Sequence, residues 1–180
     1  MVSSRYRARS VLIFLVCCFT PAVAQQPSPT KVSVRQLTAE QIAVYKTFLE
    51  DFLSGSNSSI NVSTTTRPFE PDKDDLQGCL IGFPHASGTK ELHQLADSLV
   101  NNRVHFVDPA TYKVAQVGDF VRQGEDLDGA VQSAFGRGLM SLSEVVFDRG
   151  HKRAALSFSF QCGQLCGHGG VVIYELRNGH

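Results

Sequence analysis

The run at 153–160, Arg-Ala-Ala-Leu-Ser-Phe-Ser-Phe, constrains the fold more than any other part of this chain. On an extended backbone Leu156, Phe158 and Phe160 fall on one side and Ser157 and Ser159 on the other, because successive strand side chains point to opposite faces. Period two over eight residues predicts a strand with one face in a core and the other wet. Strand-like runs at 142–147 and 171–176 flank it, the first joined through Asp148-Arg149-Gly150-His151-Lys152. Short connections favour antiparallel neighbours. The expected fold is therefore α+β: a three-stranded antiparallel C-terminal meander packed against two or three amphipathic helices.

Helical spacing supplies the other layer. Thr38 with Gln41 forms a capping-box pattern, followed by Ile42, Tyr45, Phe48, Leu49, Phe52 and Leu53 on one face, with Gly55 as a stop. A second helix is expected at 89–101, where Leu92, Leu95, Ala96, Leu99 and Val100 share a face. A third is expected at 126–135, capped by Asp126, with Leu127, Val131 and Phe135 directed inward and Gly136 and Gly138 closing it. Ile60 and Val62 alternate as in a short strand, and 104–107 reads as another, ended by Asp108-Pro109. The segment at 67–75 reads as an acidic loop. Its Asp72, Asp74 and Asp75 lack the glycine and distal glutamate of a calcium-binding EF-hand loop.

The N-terminus predicts export. Arg5, Arg7 and Arg9 precede the apolar run Val11 to Phe19, and Ala22-Val23-Ala24 puts small residues where a signal peptidase cuts. Nine apolar residues are about half of the roughly 20 that cross a bilayer as a helix. The expected organisation is a signal peptide at 1–24, a spacer at 25–37 and one domain at 38–180, with no membrane attachment after cleavage. Loss of three arginines takes 17 basic residues to 14 against 17 acidic ones, a net charge of −3. Nucleic-acid binders carry a basic surplus or a basic face. Here the only cluster is Arg149, Lys152 and Arg153 at a hairpin end, so nucleic acid is not an expected partner.

Cleavage also removes Cys17 and Cys18, leaving Cys79, Cys162 and Cys166. The last two belong to a chemically unusual decapeptide, Gln161-Cys162-Gly163-Gln164-Leu165-Cys166-Gly167-His168-Gly169-Gly170, expected to form the loop between the second and third meander strands. This loop resembles one in a family of uncharacterised exported bacterial proteins of no assigned activity: a strand, a C-G-x-L-C-G-x-G loop and a further strand, with an upstream segment like Gly78-Cys79-Leu80-Ile81-Gly82. The similarity spans about 139–176 and implies nothing about activity. Members of that family tend to continue past the final Asn-Gly, whereas this chain ends in Asn178-Gly179-His180, so the expectation is that the last strand is a sheet edge or that a further strand found in relatives is missing.

Three chemistries compete for the loop. A Cys162–Cys166 disulfide would pin it, since thiols outside the reducing cytoplasm oxidise and glycines supply the backbone angles of a tight ring. Alternatively Cys162, Cys166 and His168 could hold copper or zinc, although the spacing is not C-x2-C. Thirdly, the pair could exchange disulfides, or Cys79 could act as a nucleophile served by His85 or His168. Cys79 itself could be a buried free thiol or bridge to either loop cysteine. The preferred reading is the first: an exported, non-catalytic binding or structural module, with no cofactor, no catalytic residue and an unknown partner. His85, His93, His105, His151 and His180 are expected to be incidental. Asn57 and Asn61 match the glycosylation pattern, which serine-rich loops often do by chance.

Overall fold

The computed structural model describes residues 35–175, apart from 56–57, 84–91, 97, 100 and 164–165. The expected signal peptide, together with Asn57, His85 and the terminal Asn-Gly, lies outside the described residues. All described residues belong to one compact unit, Val32–His180.

Helix α1, Ala39–Leu53, begins as its sequence dictates. The Gln41 amide donates to Thr38 Oγ1 at 3.2 Å, and Thr38 N–H donates to Gln41 Oε1 at 2.9 Å, so two orphan donors of the first turn are satisfied reciprocally. Gly55 has φ +75°, the left-handed conformation that ends a helix cheaply. The face carrying Val44, Tyr45, Phe48, Leu49 and Leu53 is buried. Arg35 and Leu37, at the end of the expected spacer, are already part of the fold: Arg35 bridges to His93 and Leu37 joins the core.

The described residues form a six-stranded mixed sheet. Its spine is β5, Arg153–Gln161; the strand is where alternation placed it, but the face expected to be wet is largely covered, with Ala155 and Ser157 buried. β6, Gly167–Glu175, pairs antiparallel with β5 along its whole length. On the other edge of β5 lie β3, Leu139–Leu142, and then β4, Val146–Phe147, both antiparallel. β1, Ile60–Ser63, adds to β3 in parallel and carries β2, Val104–Val107, parallel on its far side. The α+β class holds, but a three-stranded meander is not the whole sheet. Parallel strands need long crossovers, and nothing in the spacing of Ile60 and Val62 says which distant strand they join.

Two expected elements are corrected. Among the described residues of 89–101 there is no helix: His93 and Gln94 bridge to Arg35 and Thr65, and Leu95 N–H donates to Thr64 O at 2.8 Å. Leu95 and Leu99 are buried as their spacing suggested, but the backbone from Leu92 to Leu95 is spent on neighbouring chain. The acidic loop contains a short helix, α2, Lys73–Gln77, whose cap Asp72 accepts from Asp75 N–H at 2.8 Å.

Helix α4, Leu127–Gly136, is capped by Asp126, which accepts from Gly129 N–H at 2.8 Å. Its inward face is not the expected one. Ala130 and Ala134 are buried beside Phe120 of α3, Val117–Arg122, while Leu127 is 66 % exposed. Small residues let two short helices approach closely, and that turns the larger side chains of the same helix outward. Phe135 still reaches the sheet, with its ring 4.7 Å from that of Phe160. α1 covers one face of the sheet through the main core, and Phe69, Leu80 and Phe83 cover part of the other against Ala155, Val171 and Ile173.

Candidate functional site

The cysteine loop is shorter than its glycines suggested. Pairing of β5 with β6 continues through Gln161↔Gly167, and Cys162 N–H still donates to Cys166 O at 3.0 Å, so the ladder runs up to the cysteine pair itself. Gly167, Gly169 and Gly170 are strand residues rather than loop residues. At Gly169 the reason is visible: a Cβ there would lie 2.9 Å from Phe158 O. Gly163 has φ +103°, the positive angle that lets the chain reverse.

Cys162 and Cys166 stand at disulfide distance, with Cα atoms 4.9 Å apart. Cys162 is buried in the main core, and Cys166 packs partly against it. His168 does not join them. It sits on β6 opposite Phe160, its ring 5.3 Å from that of Phe158. Among the described residues no three His, Cys, Asp or Glu side chains gather closely enough to hold a metal ion. Cys79 is an exposed free thiol whose Sγ lies 3.8 Å from Asp75 O, so neither a buried thiol nor a bridge to the tip describes it.

The closed tip borders a shallow cleft of about 360 Å³ lined by Val114, Gln116, Gln161 and Gly163. Beyond the tip, 167–170 form a solvent-exposed stretch of paired backbone that bears a single side chain, His168. The far end of β6 is anchored instead. Tyr174 OH donates to Asp51 Oδ2 of α1 at 3.1 Å, and burial followed by that hydrogen bond pushes the phenol well above its ordinary pKa. On the opposite side of β5, the turn at 148–152 is held by Asp148, whose carboxylate accepts from Lys152 N–H at 2.7 Å and Arg153 N–H at 3.1 Å. Those backbone donors, with the Arg153 side chain, hold Asp148 below the usual carboxylate range.

A second polar cluster was not foreseen. Leu142 pairs with Phe158 and Val146 with Ala155, so 143–145 oppose only 156–157: the strand carries a one-residue bulge. The bulge turns Glu144 inward, where its carboxylate is 5 % exposed. Its Oε2 lies 2.7 Å from His93 Nδ1, and its Oε1 accepts from Thr66 Oγ1 and from His93 N–H. Ser143 Oγ replaces a backbone acceptor for Ser157 N–H at 2.8 Å. Tyr45 OH donates to Ser143 O at 2.7 Å, and burial, reinforced by the Glu144 charge, keeps that phenol protonated far beyond its ordinary range. The available signal was one acidic residue inside the apolar run 139–147, since a buried carboxylate requires donors. His93 is thus structural rather than incidental. Asn61, the described glycosylation candidate, has its amide committed to Gly138 O at 3.0 Å.

Comparison with known proteins finds no matching family model, no matching curated protein and no matching solved structure.

Proposed function

We propose that this chain is an exported, non-catalytic binding domain whose contact surface is the β5–β6 hairpin, from the disulfide-closed tip along the outer side of β6. The observation that carries the reading is the exposed backbone of 167–170, held in full register by β5 and closed at its end by Cys162 and Cys166. Rigid backbone bare of side chains can be approached closely by another main chain, and hydrogen bonds to an extended segment are the interaction it offers best. Preorganisation by a short ring lowers the ordering cost of such binding.

Other features agree with a non-catalytic role. The buried histidine and carboxylate that meet, His93 and Glu144, are consumed by each other and by Thr66 inside the protein, and His151 stands 3.8 Å from Glu40 on an exposed surface. Export follows from the N-terminal pattern and from thiol chemistry: an oxidised tip is stable only outside the reducing cytoplasm. The resemblance of the tip to that of an uncharacterised exported bacterial family fits the same placement.

The test is selection of extended peptides from a displayed library on the oxidised protein, with Cys166→Ser as counter-target. The reading expects peptides enriched on the oxidised form and lost on the variant. No enrichment on oxidised protein shown to be monomeric, or turnover of a dithiol substrate by the purified protein, would overturn it.

A further inference from the structure

The two edges of the sheet are built differently. β2 is four residues long and ends at once in Asp108-Pro109, where Asp108 Oδ1 accepts from Ala110 N–H at 2.9 Å and folds the chain away. β6 is nine residues long, reads Gly-His-Gly-Gly-Val-Val-Ile-Tyr-Glu, and pairs with β5 without a bulge. Edge strands of soluble proteins are ordinarily shortened, bulged, or studded with lysine or proline to prevent pairing with another chain. β6 has none of these protections, and among the described residues no strand pairs with its outer edge.

The polarity of that edge can be fixed. Cys162 N–H donates to Cys166 O, and hydrogen-bonded pairs alternate along an antiparallel ladder, so 168, 170, 172 and 174 bond inward to β5. Ser157, opposite Val171, confirms the alternation: its N–H and C=O are engaged by Ser143 on the other edge of β5. Residues 167, 169, 171, 173 and 175 therefore present their backbone groups outward.

We propose that this edge pairs antiparallel with the same edge of a second copy, about a two-fold axis at Val171. The inference rests on the β5–β6 hairpin being the contact surface and names its occupant. In that register Val171 faces the second copy's Val171, Gly169 faces Ile173, Gly170 faces Val172, His168 faces Tyr174 and Gly167 faces Glu175. The bare half of each strand lies against the bulky half of the other. No like charges stand opposite one another, and every outward group finds a partner, roughly ten main-chain hydrogen bonds in all. A two-fold interface requires such a self-complementary patch.

Sedimentation of the oxidised protein at micromolar concentration tests the proposal. The wild type is expected at twice the chain mass. Val171→Pro is expected as a monomer, because it removes an outward N–H while sparing every bond to β5, the placement in which an edge strand tolerates proline. As a second variant that keeps the fold, Val171→Cys in a Cys79→Ser background is expected to form a covalent dimer on oxidation. Cα atoms of a hydrogen-bonded antiparallel pair lie about 5.5 Å apart, within disulfide reach. A monomeric wild type, a dimer untouched by folded Val171→Pro, or no cross-link at position 171 would each overturn it. A monomer that still selects tip-dependent peptides removes only the second copy as occupant; a monomer that selects none removes the binding reading as well.

Discussion

β5 is flanked by two irregular segments that are secured in opposite ways. At its end, the tip is closed by a ring confined to five consecutive residues, Cys162 to Cys166. Beside its middle, the bulge at 143–145 is held by groups from three remote places: Tyr45 on α1, Thr66 beyond β1, and His93 in the segment before β2. The tip is local and covalent, so its loss frees only the turn it closes. The bulge is where the two layers and the parallel strands are joined, and its strength comes from hydrogen bonds to a carboxylate withdrawn from water. A buried charge of this kind adds little net stability while complete and costs much when one partner is removed.

Glu144→Ala is therefore the largest expected effect. It leaves the His93 ring without its carboxylate partner, while the His93 amide keeps Thr66 Oγ1 at 2.8 Å and the Thr66 hydroxyl keeps His93 O at 3.3 Å; breaking the buried pair is expected to cost about 3–5 kcal/mol of unfolding free energy. Urea denaturation followed by circular dichroism measures it. The transition should move as a whole, with amide protection lowered in α1, β1 and β3 together. A loss below about 1 kcal/mol, the scale of an ordinary single hydrogen bond, would show that the bulge is not the joint described here.

Cys166→Ser, which opens the ring and leaves the core thiol of Cys162 in place, should cost less and act nearby. Opening a five-residue ring returns about 2 kcal/mol of unfolded-state entropy by the chain-closure estimate. Hydrogen exchange should accelerate at 167–170 and leave α1 unchanged. If α1 loses protection in step with β6, the contrast between a local tip and a global joint fails.

The same contrast explains what could be read from residues alone. Features whose partners are near in sequence were legible: the Thr38–Gln41 box, the Asp126 cap, the alternation of β5 and the spacing of Cys162 and Cys166. Features whose partners are remote were not. Leu92, Leu95 and Leu99 recur at helical intervals, yet Thr64, Thr66 and Arg35 compete for the backbone around them and win. The spacing of Leu127 and Val131 named the larger residues of α4 as its core face, whereas Phe120, arriving from α3, selects Ala130 and Ala134. The extra parallel strands and the Glu144 joint fall in the same class, since both depend on segments tens of residues away.

The turn at 148–152 lies between these extremes and gives the smallest effect. Its bonds are as local as those of the tip, but they are electrostatic like those of the bulge. Asp148 accepts from two backbone amides and faces the Arg153 guanidinium at 3.3 Å. These donors favour the charged carboxylate, so its pKa is lower in the folded protein than in the unfolded chain. A depressed carboxyl pKa contributes stability that is fully present above the unfolded value, near 3.9, and is lost as pH falls through the lower folded value. Asp148→Asn keeps a side-chain oxygen for the backbone donors but removes the charge. The wild type should thus be the more stable of the two at neutral pH, and the gap should narrow below about pH 4 as the native carboxyl takes up its proton. A gap that stays constant down to acid pH would mean that geometry alone holds this turn, as it does the tip, and that charge secures only the bulge.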